Sequence, residues 1–128
     1  MRALVIDDSR TMRRIVAGSL HQLGFETFHA EHGQEALDQL EDGLEVDLCC
    51  IDWNMPVMDG LTFVSRVRAD PRWRGVTLMM VTTESEHGQI VRALAAGAHE
   101  YVLKPFTAEA IADKLSLLGL TPATSATA

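Results

Sequence analysis

What the chain has little of already limits what it can do. Eleven Lys and Arg stand against eighteen Asp and Glu, for a net charge of -7. A nucleic-acid-binding face needs clustered cations to meet the phosphate backbone. The only local concentrations are Arg13-Arg14 and the Arg72/Arg74 pair, and both read as solvated faces, so no nucleic-acid partner is expected. Long apolar runs are missing too. The N-terminal MRALVIDD carries only a short one, below what a secretory leader or membrane span needs, so the expected location is cytoplasmic, with no membrane partner. Only two cysteines occur, Cys49 and Cys50. Strand neighbours point to opposite faces and are poorly placed to bridge each other. No metal-ligand spacing surrounds these cysteines or the histidines His21, His29, His32, His87 and His99. The cysteines read as small core residues in a reducing compartment.

What is present points to an ordinary globular domain. At 128 residues, 47% hydrophobic and 23% charged, the chain can bury a substantial single core. Short β-rich runs fall at residues 3–7, 25–29, 46–52, 76–81 and 99–103. Segments with helical spacing lie between them. Met12, Ile15, Val16, Leu20 and Leu23 trace the first helix, with Gly24 as its C-terminal cap. Ala36, Leu37 and Leu40 trace the second, ending near Gly43. Phe63, Val64 and Val67 trace the third, stopped before Pro71. Ile90, Val91, Leu94 and Ala95 trace the fourth, followed by Gly97, and Ile111, Leu115 and Leu118 the fifth, closed by Gly119. Five strands alternating with five helices predict an α/β fold: a doubly wound five-stranded parallel sheet, order 2-1-3-4-5, with helices on both faces. Residues 1–120 form the expected domain. Residues 121–128, TPATSATA, read as a flexible tail or the start of a linker.

In such sheets ligands bind beyond the carboxyl ends of the strands, where the strand order reverses. Asp7 and Asp8 end the first run, Asp52 the third, Thr82 and Thr83 the fourth and Lys104 the fifth. Neighbouring strands lie about 4.8 Å apart, so Asp7, Asp8 and Asp52 should converge. Three adjacent carboxylates repel unless a cation is supplied. Mg²⁺ suits the set, because it takes one or two carboxylates and keeps exchangeable waters. Lys104 adds an ammonium and Thr82 a hydroxyl. Together these are parts that neutralise and orient a transferring phosphoryl group. An Asp can itself be the nucleophile, and Asp52, on the central strand, is the best candidate.

Each signal alone has a plainer reading. Asp7-Asp8 can simply end a strand ahead of a helix, Lys104 can be a surface lysine, and Thr82-Thr83-Glu84 can be a helix cap. Asp59-Gly60 can be a turn, and Met55, Met58, Met79 and Met80 core filler. Convergence on one edge is what argues for a site.

The stretches VIDDSRTMRRIV, IDWNMPVMDG, MVTTES and GAHEYVLKPF, in this order and spacing, resemble the receiver domain of bacterial two-component response regulators, and most closely its single-domain chemotaxis members. The likeness runs from Arg2 to about Leu118. It implies Asp52 as phosphoacceptor, Asp8 as a direct Mg²⁺ ligand, Asp7 acting mainly through bound water, and the backbone carbonyl of Asn54 completing the protein ligands. It further implies that Lys104, ahead of Pro105, and Thr82 contact the phosphoryl group, with Thr82 and Tyr101 as the switch pair. Asn54 and Glu84 would tune the phosphate lifetime. A lone Tyr on a strand is otherwise plain packing. The implied donor is a histidine kinase, and the implied output is an unidentified protein on the helix 4/strand 5/helix 5 face. A monomer is expected, with dimerisation on phosphorylation left open.

Two departures from the chemotaxis type stand out. Ser9 replaces an aromatic beside the acidic pair, and ESEHGQ puts Glu86 and His87 where lysines are usual. The latter changes electrostatic complementarity toward partners. Three functions therefore compete: a phosphorylation-switched signalling module that is no enzyme beyond its own phosphoryl chemistry, the same receiver cut from a multidomain regulator, and a Mg²⁺-dependent phosphatase with an Asp nucleophile. The last normally carries D-x-D, and here Asp52 is followed by Trp53-Asn54. A flavodoxin-type FMN carrier is disfavoured, because Asp7 and Asp8 would repel its phosphate.

Overall fold

The computed structural model describes residues 1–82, 87–104 and 106–120, excepting the His87 side chain. The strands are β1 (Arg2–Ile6), β2 (Glu26–Ala30), β3 (Leu48–Asp52), β4 (Thr77–Thr82) and β5 (Glu100–Leu103). The helices are α1 (Arg10–Gln22), α2 (Gly33–Glu41), α3 (Gly60–Ala69), α4 (His87–Ala96) and α5 (Ala108–Leu117). All pairings are parallel and the order is β2-β1-β3-β4-β5, as expected from the alternation.

Parallel strands covered on both faces must be apolar at odd and even positions alike, and β3 (LCCID) is buried throughout. Leu4, Ile6, Cys49, Ile51, Leu78 and Met80 join α2, α3 and α4 in one core. Ala3, Val5, Cys50, Met79, Val81 and Val102 join α1 and α5 in the other. Cys49 and Cys50 thus point to opposite faces, both buried and free. Burial pushes both thiols up, Cys50 to about 12, so neither is a ready nucleophile.

The strand and helix assignments hold with local shifts. β2 starts at Glu26 rather than Phe25, because the Phe25 amide closes α1 by donating to the Leu20 carbonyl at 3.0 Å. The cap glycines behave as expected: Gly24, Gly43, Gly97 and Gly119 all have positive φ. Met58, Met79 and Met80 are core residues.

Two helix faces differ from expectation. On α1, Ile15 is exposed while Arg13, Val16, Ala17 and Leu20 are buried. Arg13, expected on a solvated face, is therefore inside. On α4, Ile90 and Ala93 face the core, and Val91 and Leu94 face outward. In both helices the inward stripe is rotated from the one the largest apolar residues suggest. Among the described residues no helix is long and apolar enough to cross a membrane.

Candidate functional site

The strand ends carry the chemistry. Asp7 follows β1, Asp52 ends β3, Thr82 ends β4 and Lys104 follows β5. Each apolar strand delivers its polar successor to the same edge, at the reversal between β1 and β3. Asp7 is 3% exposed and Asp52 9%, while Asp8 is exposed. One carboxylate oxygen from each of Asp7, Asp8 and Asp52 lies within 4.8 Å of the others.

Local structure holds these groups in place. The Asp7 amide donates to the Ala30 carbonyl at 3.1 Å, and Asp7 Oδ1 accepts from the Ser9 amide at 2.9 Å. Ser9 also caps α1, its hydroxyl accepting from the Met12 amide at 3.2 Å, as serine does at helix starts. Gly60 brings α3 against the end of β3. Its amide donates to the Trp53 carbonyl at 3.0 Å, and a Cβ there would fall 2.5 Å from the Asp52 carbonyl oxygen. Asp59 caps α3 through the Thr62 amide at 2.8 Å. Between them Val57, exposed and β-branched, takes φ 67°, a conformation costly for such a residue.

Lys104 reaches back over this edge. Its backbone amide donates to the Thr82 carbonyl at 2.7 Å. Its Nζ lies 3.2 Å from Asp52 Oδ1 and 3.7 Å from Asp7 Oδ2. One ammonium does not neutralise the cluster. Asp52 is pushed up to about 6, first by burial and then by the Asp7 charge, with Lys104 opposing and Asp8 adding to the rise. Asp7 is raised by burial, against the Ser9 hydrogen bond and Lys104. Three converging carboxylates, two of them buried, in excess of the one ammonium beside them fit a hard divalent ion that takes oxygen ligands.

The chemical neighbours expected from the sequence thus assemble in part. Asp7, Asp8, Asp52 and Lys104 come together. Thr82 is buried at the end of the adjacent strand, 2% exposed. Asn54 is exposed on the loop after β3. Tyr101 is half-buried on β5, packed on the α2–α4 core, with Lys114 Nζ 4.6 Å from its ring centre. Thr83, Glu84, Glu86 and Pro105 lie outside the described residues. Ser9 and Arg13 were missed as contributors, although Arg13 sits in register with Val16, Ala17 and Leu20, at the i, i+3, i+4, i+7 spacing of an inward stripe.

A family profile described as "Response regulator receiver domain" matches residues 3–116. The chain belongs to this family. Among curated relatives, chemotaxis protein CheY1 of Helicobacter pylori (strain J99) is 43% identical over 119 residues, covering 92% of this chain and 96% of the relative. Chemotaxis protein CheY of Pseudomonas aeruginosa is 43% identical over 116 residues, covering 90% and 93%. Among solved structures, chemotaxis protein CheY4 of Vibrio cholerae superposes with TM-score 0.81 at 33% identity, covering 91% of this chain and 96% of that one. The signal receiver domain of a histidine kinase from Syntrophus aciditrophicus gives TM-score 0.82 at 28% identity, covering 91% and 88%. This is a CheY-like receiver domain of two-component signalling.

Proposed function

We propose that this receiver is a phosphorylation-activated switch. It accepts a phosphoryl group from a histidine kinase onto Asp52 with Mg²⁺ and changes its α4–β5–α5 face for an output protein. The observation that carries the reading is the Asp52 carboxyl, buried at the sheet edge 3.2 Å from Lys104 Nζ and clustered with Asp7 and Asp8.

The residues present fit Mg²⁺: Asp8 would hold it directly, Asp7 would act through bound water, and Asp52 and the Asn54 carbonyl would complete the protein's share. When bound, the ion offsets carboxylate charge and draws phosphoryl oxygens to the site. Asp52, ionised, attacks phosphorus with one carboxylate oxygen. An O–P bond forms as the donor's imidazole N–P bond breaks, and the released imidazole nitrogen takes a proton. Lys104 moves from Asp52 to a phosphoryl oxygen, and the Thr82 hydroxyl donates to another. Tyr101 follows Thr82 inward. Asn54 and Glu84 govern how readily water reaches the acyl phosphate.

The output face has features that suit a partner. Val91 and Leu94 are exposed on α4, and a cavity of about 360 Å³ lies between β5 and α5, lined by Tyr101, Phe106 and Lys114. A partner with a matching apolar surface gains by removing such residues from water. In this reading residues 1–120 form the receiver domain, a monomer that can dimerise on phosphorylation.

The test is stoichiometry. With acetyl phosphate and Mg²⁺ the protein should gain one phosphoryl group per chain, stable in acid and labile in base. Sustained turnover of ordinary phosphate monoesters would instead support a phosphatase. A phosphotransfer profile against candidate kinases then identifies the donor.

A further inference from the structure

Arg13 is a buried cation with no anionic partner among the described residues. It is 9% exposed. Among the described residues no carboxylate lies within ion-pair distance of its guanidinium. The nearby titratable group on β2 is His29, held below its usual pKa first by burial and then by the Arg13 charge. Burying an unpaired guanidinium is costly, so its contacts should show what it does.

Among the described residues it makes one hydrogen bond: Nη1 donates to the backbone carbonyl of Asp7 at 2.7 Å, short and charge-assisted. That carbonyl belongs to the peptide joining Asp7 to Asp8. The other side of Asp7 is held by Ala30, and its side chain by the Ser9 amide. Asp8 is exposed, so little packing orients it, and its backbone starts from the peptide whose carbonyl Arg13 holds from α1.

We propose that Arg13 is a positioning residue for cation binding: it locks the Asp7–Asp8 peptide so that the Asp8 carboxylate faces Asp7 and Asp52. This rests on the reading that Mg²⁺ binds at these three residues. The alternative, that Arg13 acts only as a charge, has the opposite sign. A positive charge near a cation site weakens binding, so its removal would tighten it. A residue that only fills the core would change thermal stability and leave the affinity of the folded protein unaltered.

The experiment titrates MgCl₂ at constant ionic strength and pH 8, following tryptophan fluorescence with Trp73 replaced by Phe in every variant so that Trp53 reports, and folding checked by circular dichroism. It compares wild type, Asp8→Asn, Arg13→Met, Arg13→Gln and Arg13→Lys. The expected result is Mg²⁺ binding roughly tenfold weaker in Arg13→Met, the scale of losing a group that orients a metal ligand. Arg13→Gln weakens it in the same direction, which decides the case if Arg13→Met does not fold. Arg13→Lys, which keeps a charged donor, restores most of the affinity. Unchanged or tighter binding in folded Arg13→Met or Arg13→Gln, with wild type binding and Asp8→Asn not, overturns the role of Arg13 alone. No Mg²⁺ response in wild type, or an unimpaired Asp8→Asn, overturns the cation site and this proposal with it.

Discussion

The two edges of the sheet use the same kinds of charged residue to opposite ends. At the amino edge of β4, Arg72 Nη2 meets Asp70 Oδ2 at 2.7 Å and Glu41 Oε1 at 2.9 Å. Its guanidinium stacks 4.6 Å from the Trp73 ring. The three charged groups remain open to water, and hydrogen bonds from Arg72 hold Asp70 below the usual carboxylate range. Beside them lies a cleft of about 490 Å³ floored by Leu40, Val46 and Val76. At the carboxyl edge, Asp7 and Asp52 are buried with one shared ammonium, and both are held above that range. Backbone strain follows the same division: Val57, the one non-glycine residue with positive φ among those described, lies in the loop that leads from Asp52 to α3. A satisfied surface cluster is structural, and an unsatisfied buried one is kept for something that arrives.

That contrast can be broken at several points. Lys104→Ala removes the cation from the unsatisfied edge. Phosphorylation by acetyl phosphate should slow on the order of 100-fold without vanishing, and output signalling should fail. The midpoint of its pH–rate profile should move upward, since Lys104 opposes the rise in Asp52. Unchanged signalling would remove Lys104 from the mechanism.

Asp52→Asn should stabilise the metal-free protein, with a definite pH signature. The Asp52 carboxyl titrates near 6 when folded, against 3.8 for the ordinary group, so folding favours its protonated form. Wild-type stability therefore falls as pH rises from about 4 to 6 and stays lower above that window. The variant should melt roughly 5 °C higher at pH 8, with the gap closing at pH 4. A gap of equal size at both pH values would mean that charge is not its source.

Val57→Asn relieves a β-branched residue of its left-handed backbone and should raise Tm by about 4 °C. A drop would show that Val57 is held by packing instead. Arg72→Ala, at the satisfied edge, should shift Tm by less than about 3 °C, as exposed pairs do, and leave phosphorylation unchanged. A loss of phosphorylation there would dissolve the division between the edges.

How much of this was legible in the sequence depends on the kind of signal. Strand ends were readable because β1, β3, β4 and β5 are apolar runs that stop at a polar residue, and the parallel order follows from strict alternation. The convergence of Asp7, Asp8, Asp52 and Lys104 is then a matter of topology. Helix faces were harder. Val91 and Leu94 are apolar yet point outward, and pattern reading assigns every large apolar residue to the core. Arg13 is the reverse case: its charge argued for solvent, while its spacing with Val16, Ala17 and Leu20 argued for burial. Spacing prevailed because a hydrogen-bond acceptor, the Asp7 carbonyl, waits at the end of its side chain. No sequence pattern encodes that acceptor, nor the double use of Ser9 as helix cap and carboxylate anchor.

The location of the phosphoryl group decides whether Asp52 is the acceptor. Wild type and Asp52→Ala are treated with acetyl phosphate, with and without Mg²⁺, and the modified peptide is mapped by mass spectrometry. One phosphoryl group should map to Asp52, dependent on Mg²⁺, and none should appear in Asp52→Ala. Equal labelling of Asp52→Ala, or a group mapped elsewhere in the wild type, would contradict that assignment.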